Sequence, residues 1–137
     1  MANFTAVRKV RGITTEVTTR LEEKKITNVD LLLKAGCSPE ARKDLAKQLG
    51  MDPKELLELL NRADLDRVKG IGAAYANLLE EAGVDTVKEL AKRVPEHLHA
   101  KIMEVNQAKK ITTHPPTLAM VQAWVAEAKT LPVVLEY

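Results

Sequence analysis

Aromatic residues make up only 3% of this 137-residue chain, and cysteine occurs once, at Cys37. A lone cysteine excludes an internal disulfide and fits a reducing compartment. With so few aromatics, Leu, Val, Ile and Ala must fill the interior, and an apolar fraction of 45% is enough for a core. No apolar run approaches the roughly 20 residues of a membrane-spanning helix. The opening Met-Ala-Asn-Phe-Thr has no apolar signal segment, so a cytoplasmic protein without a membrane partner is expected. Neither sign of charge dominates, since 21 Lys and Arg face 19 Asp and Glu, a formal net charge of +2. A dedicated nucleic-acid binder is usually more basic. Composition therefore neither supports nor excludes that class.

Chemistry-bearing groupings are missing as well. There is no Walker-type phosphate loop and no legible Ser-His-Asp or Cys-His set, and the carboxylates are scattered over charged faces. His97 and His99 stand two apart on a predicted helix and so point to different faces. His114 falls in a proline-bounded loop, and Cys37 has no partner at zinc-ligand spacing. The expectation is a non-enzyme with no catalytic residue, metal or cofactor.

What the chain does have is an internal echo. A shift of 58 positions lays Val10-Arg11-Gly12-Ile13 on Val68-Lys69-Gly70-Ile71, and Leu21-Glu22-Glu23 on Leu79-Glu80-Glu81. Val29 then meets Val87, and Leu32 meets Leu90. Matches in one register without a gap argue for duplication of a helical unit. The expected organisation is a single compact domain, 1–137, with pseudo-repeats over about 7–65 and 65–131.

Cap signals cut each half into short helices. In the first half, helices are expected over 14–25 and 28–35, the latter stopped by Gly36. Ser38-Pro39 is an N-cap followed by proline at the first helical position, opening a helix that runs to Gly50. Asp52-Pro53-Lys54-Glu55 repeats the signal before Leu56, Leu57, Leu59, Leu60 and Ala63. In the second half, helices are expected over 72–82, over 86–92 with Thr86 and Glu89 as a capping box, and from Pro95 to about Lys110. Thr117 caps a last helix with Leu118, Val121, Val125 and Ala128 on one face. The β-prone tail Pro132-Val133-Val134-Leu135 is expected to pair with Asn3-Phe4-Thr5-Ala6-Val7, a pairing that is marginal unless it packs on helices. The fold class is all-α, with about eight helices.

The most informative stretch is Leu65 to Leu79. Leu65 and Val68 lead into Gly70-Ile71-Gly72, then Ala76 and Leu79 follow. This spacing resembles a helix-hairpin-helix, in which a helix stops at glycine, one apolar residue plugs the turn, and a second glycine opens the next helix. Glycine tolerates φ > 0 and close backbone approach. The second helix begins with unpaired N–H groups, a ready anion site. The candidate phosphate contacts are Gly70, Ile71 and Gly72 with Arg67 and Lys69, while Asp66, Glu80 and Glu81 weaken the field. In the first half, Arg8, Lys9, Arg11 and Gly12 form the counterpart, but Thr14 stands where the second glycine should be. Thr14 has a structural alternative as an N-cap. Residues 45–57, with a turn at Gly50, resemble a helix-turn-helix whose first turns carry Asp52, Glu55 and Glu58, which phosphates repel. Trp124 and Tyr75 sit on apolar helix faces as core candidates.

The order Ala63-Asp64-Leu65, Gly70-Ile71-Gly72, Tyr75-Ala76, Leu78-Leu79 and Ala82-Gly83-Val84-Asp85-Thr86-Val87 resembles a bacterial family of small tandem helix-hairpin-helix proteins known as a domain of unknown function. Trp124-Val125-Ala126-Glu127-Ala128-Lys129 also fits that family, and the likeness covers most of the chain. The second hairpin is more distantly similar to those of DNA repair and recombination proteins. The resemblance implies the fold and brings no activity. Two function classes stay open. One is a module that binds double-stranded DNA weakly and without sequence preference. The other is a module that binds another protein or itself, with purely structural hairpins.

Overall fold

A computed structural model describes residues 6–136, with the side chain of Ala73 excepted. It is all-helical among those residues. A 3-10 turn at Val7–Lys9 is followed by α1 (Thr15–Glu23), α2 (Val29–Ala35), α3 (Pro39–Leu49), α4 (Pro53–Leu65), α5 (Ala73–Glu81), α6 (Val87–Ala91), α7 (Pro95–Lys109) and α8 (Leu118–Ala128). The chain divides into two compact units, one of residues up to Asp64 together with those from Val133 onward, the other Leu65–Pro132.

Short polar side chains start most of these helices by satisfying N–H groups that a helix leaves unpaired. Thr14 accepts from the Val17 N–H, Asn28 from Leu31, Ser38 from Ala41, Thr86 from Glu89 and Thr117 from Met120. The Asp52 carboxylate takes the Lys54 N–H at 2.8 Å at the head of α4. Paired backbone bonds close three helices. Ile26 to Leu21 with Lys25 to Glu22 ends α1, Met51 to Ala46 with Gly50 to Lys47 ends α3, and Val84 to Leu79 with Gly83 to Glu80 ends α5. These are Schellman closures, which place the residue after the helix in the left-handed region. Gly50 and Gly83 suit that position, whereas Lys25 holds it with φ 64° and no glycine.

The first unit packs Leu21, Val29, Leu32, Leu33, Leu45, Leu49, Leu56 and Leu60 into one apolar cluster. Leu135 of the tail belongs to the same cluster, 4% exposed. Of the segment expected to pair with the tail, the described residues Ala6 and Val7 meet a different partner. Residues 3–5 lie outside the described residues. Ala6 forms an isolated antiparallel bridge with Asn28, and the Val7 N–H donates to Thr27 O at 3.1 Å. The Glu136 N–H instead donates to Cys37 O at 2.8 Å, and the buried Arg42 guanidinium reaches Gly36 O at 3.1 Å and also Glu136 O. A buried cation satisfying several carbonyls holds the tail better than a lone two-strand pair would.

The second unit gathers Leu65, Val68, Ile71, Leu78, Leu79, Val84, Leu90, Leu98, Ile102, Val121 and Trp124. Helix α8 lies against α6 and α7, and α5 against α7. Tyr75 packs its ring on Trp124, with centroids 5.3 Å apart, and donates its hydroxyl to His114 O at 2.9 Å. Trp124 is thus buried, as its helix face predicted, whereas Tyr75 is half-buried and packs against the cluster from its edge.

Candidate functional site

The turn between α4 and α5 is set by two buried residues and one glycine. Val68 and Ile71, 1% and 5% exposed, anchor it to the core from either side. The Val68 N–H bonds to Leu65 O and the Ile71 N–H to Val68 O, at 3.1 and 3.3 Å. Between them Gly70 adopts φ +90°, a conformation that L side chains rarely take. The indole Nε1 of Trp124 lies 3.3 Å from where a Cβ on Gly70 would stand. Gly70 is therefore required by the turn.

Gly72 is not. It is the N-cap of α5 with φ −97° and ψ −172°, extended backbone open to any residue. A Cβ there would meet nothing within 4 Å. The expectation that both glycines serve the turn geometry is corrected here, because only Gly70 uses positive φ. With no side chain to act as a cap, Gly72 leaves the first N–H groups of α5 without one. The first internal bond of the helix is Ala76 N–H to Gly72 O, 2.9 Å.

Charged groups of both signs surround this turn. The Lys69 side chain is exposed, and Arg67 reaches Pro132 O at 2.5 Å. Facing them is a residue that sequence reasoning missed. Glu127 of α8 accepts the backbone N–H of Lys69 on Oε2 at 2.9 Å. Asp66 is half-buried, and loss of hydration pushes its carboxyl up to about 6. No local pattern links Glu127 to the turn, since 58 residues separate it from Lys69.

The other predicted contacts, Arg8, Lys9, Arg11 and Gly12, belong to the first unit. Arg8 and Lys9 are exposed on the 3-10 turn, and Gly12 has φ +87°. Arg11 is half-buried, and its carbonyl accepts from Arg62 at 3.0 Å. Thr14 spends its hydroxyl on the Val17 N–H at 3.2 Å, so this turn ends in a capped helix. Beside it opens a cleft of about 400 Å³ whose lining includes Thr14, Glu16, Gly50, Asp52, Glu55 and Glu58. Carboxylates at its walls disfavour a phosphate there.

No cluster of three or more His, Cys, Asp or Glu is arranged to hold a metal among the described residues. His99 Nε2 lies 3.1 Å from Pro116 O, and His114 Nδ1 lies 3.2 Å from the Thr113 hydroxyl. No helix among those residues is long and apolar enough to cross a membrane.

Comparison with known proteins adds three findings. Translation initiation factor IF-2 from two strains of Thermus thermophilus is 37% identical over 79 residues. That segment is 56% of this chain but only 12% of the factor's length. No solved structure matches the chain. A family model does match, over residues 11–131, and the chain belongs to that family, described as Domain of unknown function (DUF4332).

Proposed function

We propose that this chain is a non-catalytic cytoplasmic module that binds nucleic-acid backbones without reading sequence, through the turn at 69–72 and the head of α5. The turn and its flanking helices are read as a helix-hairpin-helix, with Ile71 as the plug and the α5 amides as the anion contacts. The observation that carries this reading is Gly72. Neither its backbone angles nor any neighbour demands glycine, yet its lack of a side chain keeps the helix head uncapped beneath open space. Such a head favours an anion. Lys69 adds an exposed positive charge. The likeness of a segment to a translation initiation factor brings RNA in beside duplex DNA as a probe.

Contacts of this kind position a protein on a backbone and carry no sequence information. With about three phosphates neutralised, log K would fall with log salt at a slope near −3. Fluorescence anisotropy of a labelled random-sequence duplex and of a single-stranded RNA tests this at about 50 mM and about 200 mM salt. Wild type binds at the lower salt and is largely released at the higher. Gly72→Glu, which has room for its side chain, places a charge at the helix head and removes binding by tenfold or more.

A second reading, docking of another protein or of a second copy, is favoured by the acidic groups Glu127 and Asp66 at the turn. It takes over if no nucleic acid binds even at the lower salt.

A further inference from the structure

The turn that lacks a capping side chain of its own has a carboxylate from elsewhere in the chain seated on it. We infer that Glu127 sets the affinity of this turn for phosphate, an inference that rests on the nucleic-acid reading above. Helix α8 presents Trp124 and Glu127 three residues apart and so on one face. Trp124 fills the space under Gly70, and Glu127 takes the Lys69 N–H at 2.9 Å. One helix face thus supports the turn with a ring and closes one of its amides with an anion.

The consequence is competition. The carboxylate satisfies a turn amide in the free protein and repels a second anion that approaches the same turn. A phosphate that claims the Lys69 N–H must first displace Glu127. One that settles on the α5 amides still meets its negative charge. The free turn stays ordered, and only a polyanion that also gains Lys69 and further backbone contacts has enough to gain from the exchange. Weak affinity is then built into the site, which suits a module that holds a backbone transiently.

Glutamine at 127 retains an oxygen acceptor for the Lys69 N–H and removes the charge, so Glu127→Gln keeps the turn and lifts the repulsion. The expected gain is about fivefold in duplex affinity, the effect of one charge several ångströms away in a solvated setting. Glu104→Gln is the control, since Glu104 is an exposed α7 residue and the change in net charge is the same. Trp124, the only tryptophan in the chain, reports occupancy of the turn from beside Gly70.

Anisotropy of the labelled duplex with wild type, Glu127→Gln and Glu104→Gln decides the matter. Tighter binding by Glu127→Gln alone is the expected result. Equal affinities for all three, or equal gains in both variants, would overturn the role of Glu127 and leave backbone binding standing. No binding by any of the three would overturn both.

Discussion

The turns at residues 10–14 and 68–72 share a positive-φ glycine and a pair of backbone bonds, and they end differently. Each has a glycine near φ +90°, +87° at Gly12 and +90° at Gly70. Each is tied by the same pair of bonds, Val10 to Val7 and Ile13 to Val10 in one, Val68 to Leu65 and Ile71 to Val68 in the other. The next residue separates them. Thr14 caps its helix with a hydroxyl, whereas Gly72 offers no cap and stands under open space. Both turns have charges of each sign nearby, Arg8, Lys9 and an acidic cleft at the first, Lys69, Glu127 and Asp66 at the second. The lesson is that one turn geometry serves two ends. Positive-φ glycine and a buried plug make the turn, and the residue at the helix head decides whether the amides stay within the protein or remain available.

The largest test of this contrast is at the plugs. Ile71 is 5% exposed in the core of its unit, while Ile13 only borders its own. Ile71→Ala is expected to cost about 3 kcal/mol, and Ile13→Ala about half as much. Urea denaturation followed at Trp124 for the first and by helical circular dichroism for the second measures both. Equal costs would mean that the two turns are anchored alike.

Next in size is Asp66, which stands where the first turn has Arg8. Its carboxyl is raised from 3.8 to about 6 by burial, so the folded state favours the neutral form. The contribution of that form is fully present below pH 3.8 and is lost as pH rises through about 6. Asp66→Asn should therefore be more stable than wild type at high pH by about 1 kcal/mol, a value reduced for solvent screening at this half-exposed site. Denaturation midpoints at about pH 8 and about pH 4 check this, with the advantage vanishing at the lower pH.

The smallest effect on stability is the most telling for function. Exchanging the two helix heads, Gly72→Thr and Thr14→Gly, should shift stability by only a few tenths of a kcal/mol in opposite directions. In Gly72→Thr the new hydroxyl takes the Tyr75 N–H, as Thr14 takes that of Val17, and nucleic-acid binding falls severalfold. Thr14→Gly gains no binding, because the carboxylates beside it remain. Thermal melts and anisotropy on the same samples read both quantities.

What the sequence made legible was local. Thr14, Ser38, Thr86 and Thr117 were readable as caps because each acts on an amide three residues on. Leu and Val at helical spacing marked the buried faces, and the Gly-Ile-Gly turn stood out for the same reason. Ends without a glycine were less clear, since α1 stops at Glu23 and the chain turns at Lys25, which no composition rule marks. Long-range contacts were invisible. Arg42 holds Glu136 across 94 residues, a contact that no local spacing announces. Glu127 meets Lys69 across 58 residues, so the anion already at the candidate site left no trace in local spacing.

The most direct measurement is a titration of isotope-labelled protein with a short duplex, following every backbone amide by nuclear magnetic resonance. The amides from Lys69 to Tyr75 are expected to shift together and saturate, while those from Gly12 to Val17 stay in place. Shifts centred on the first turn, or spread over neither, would contradict that expectation.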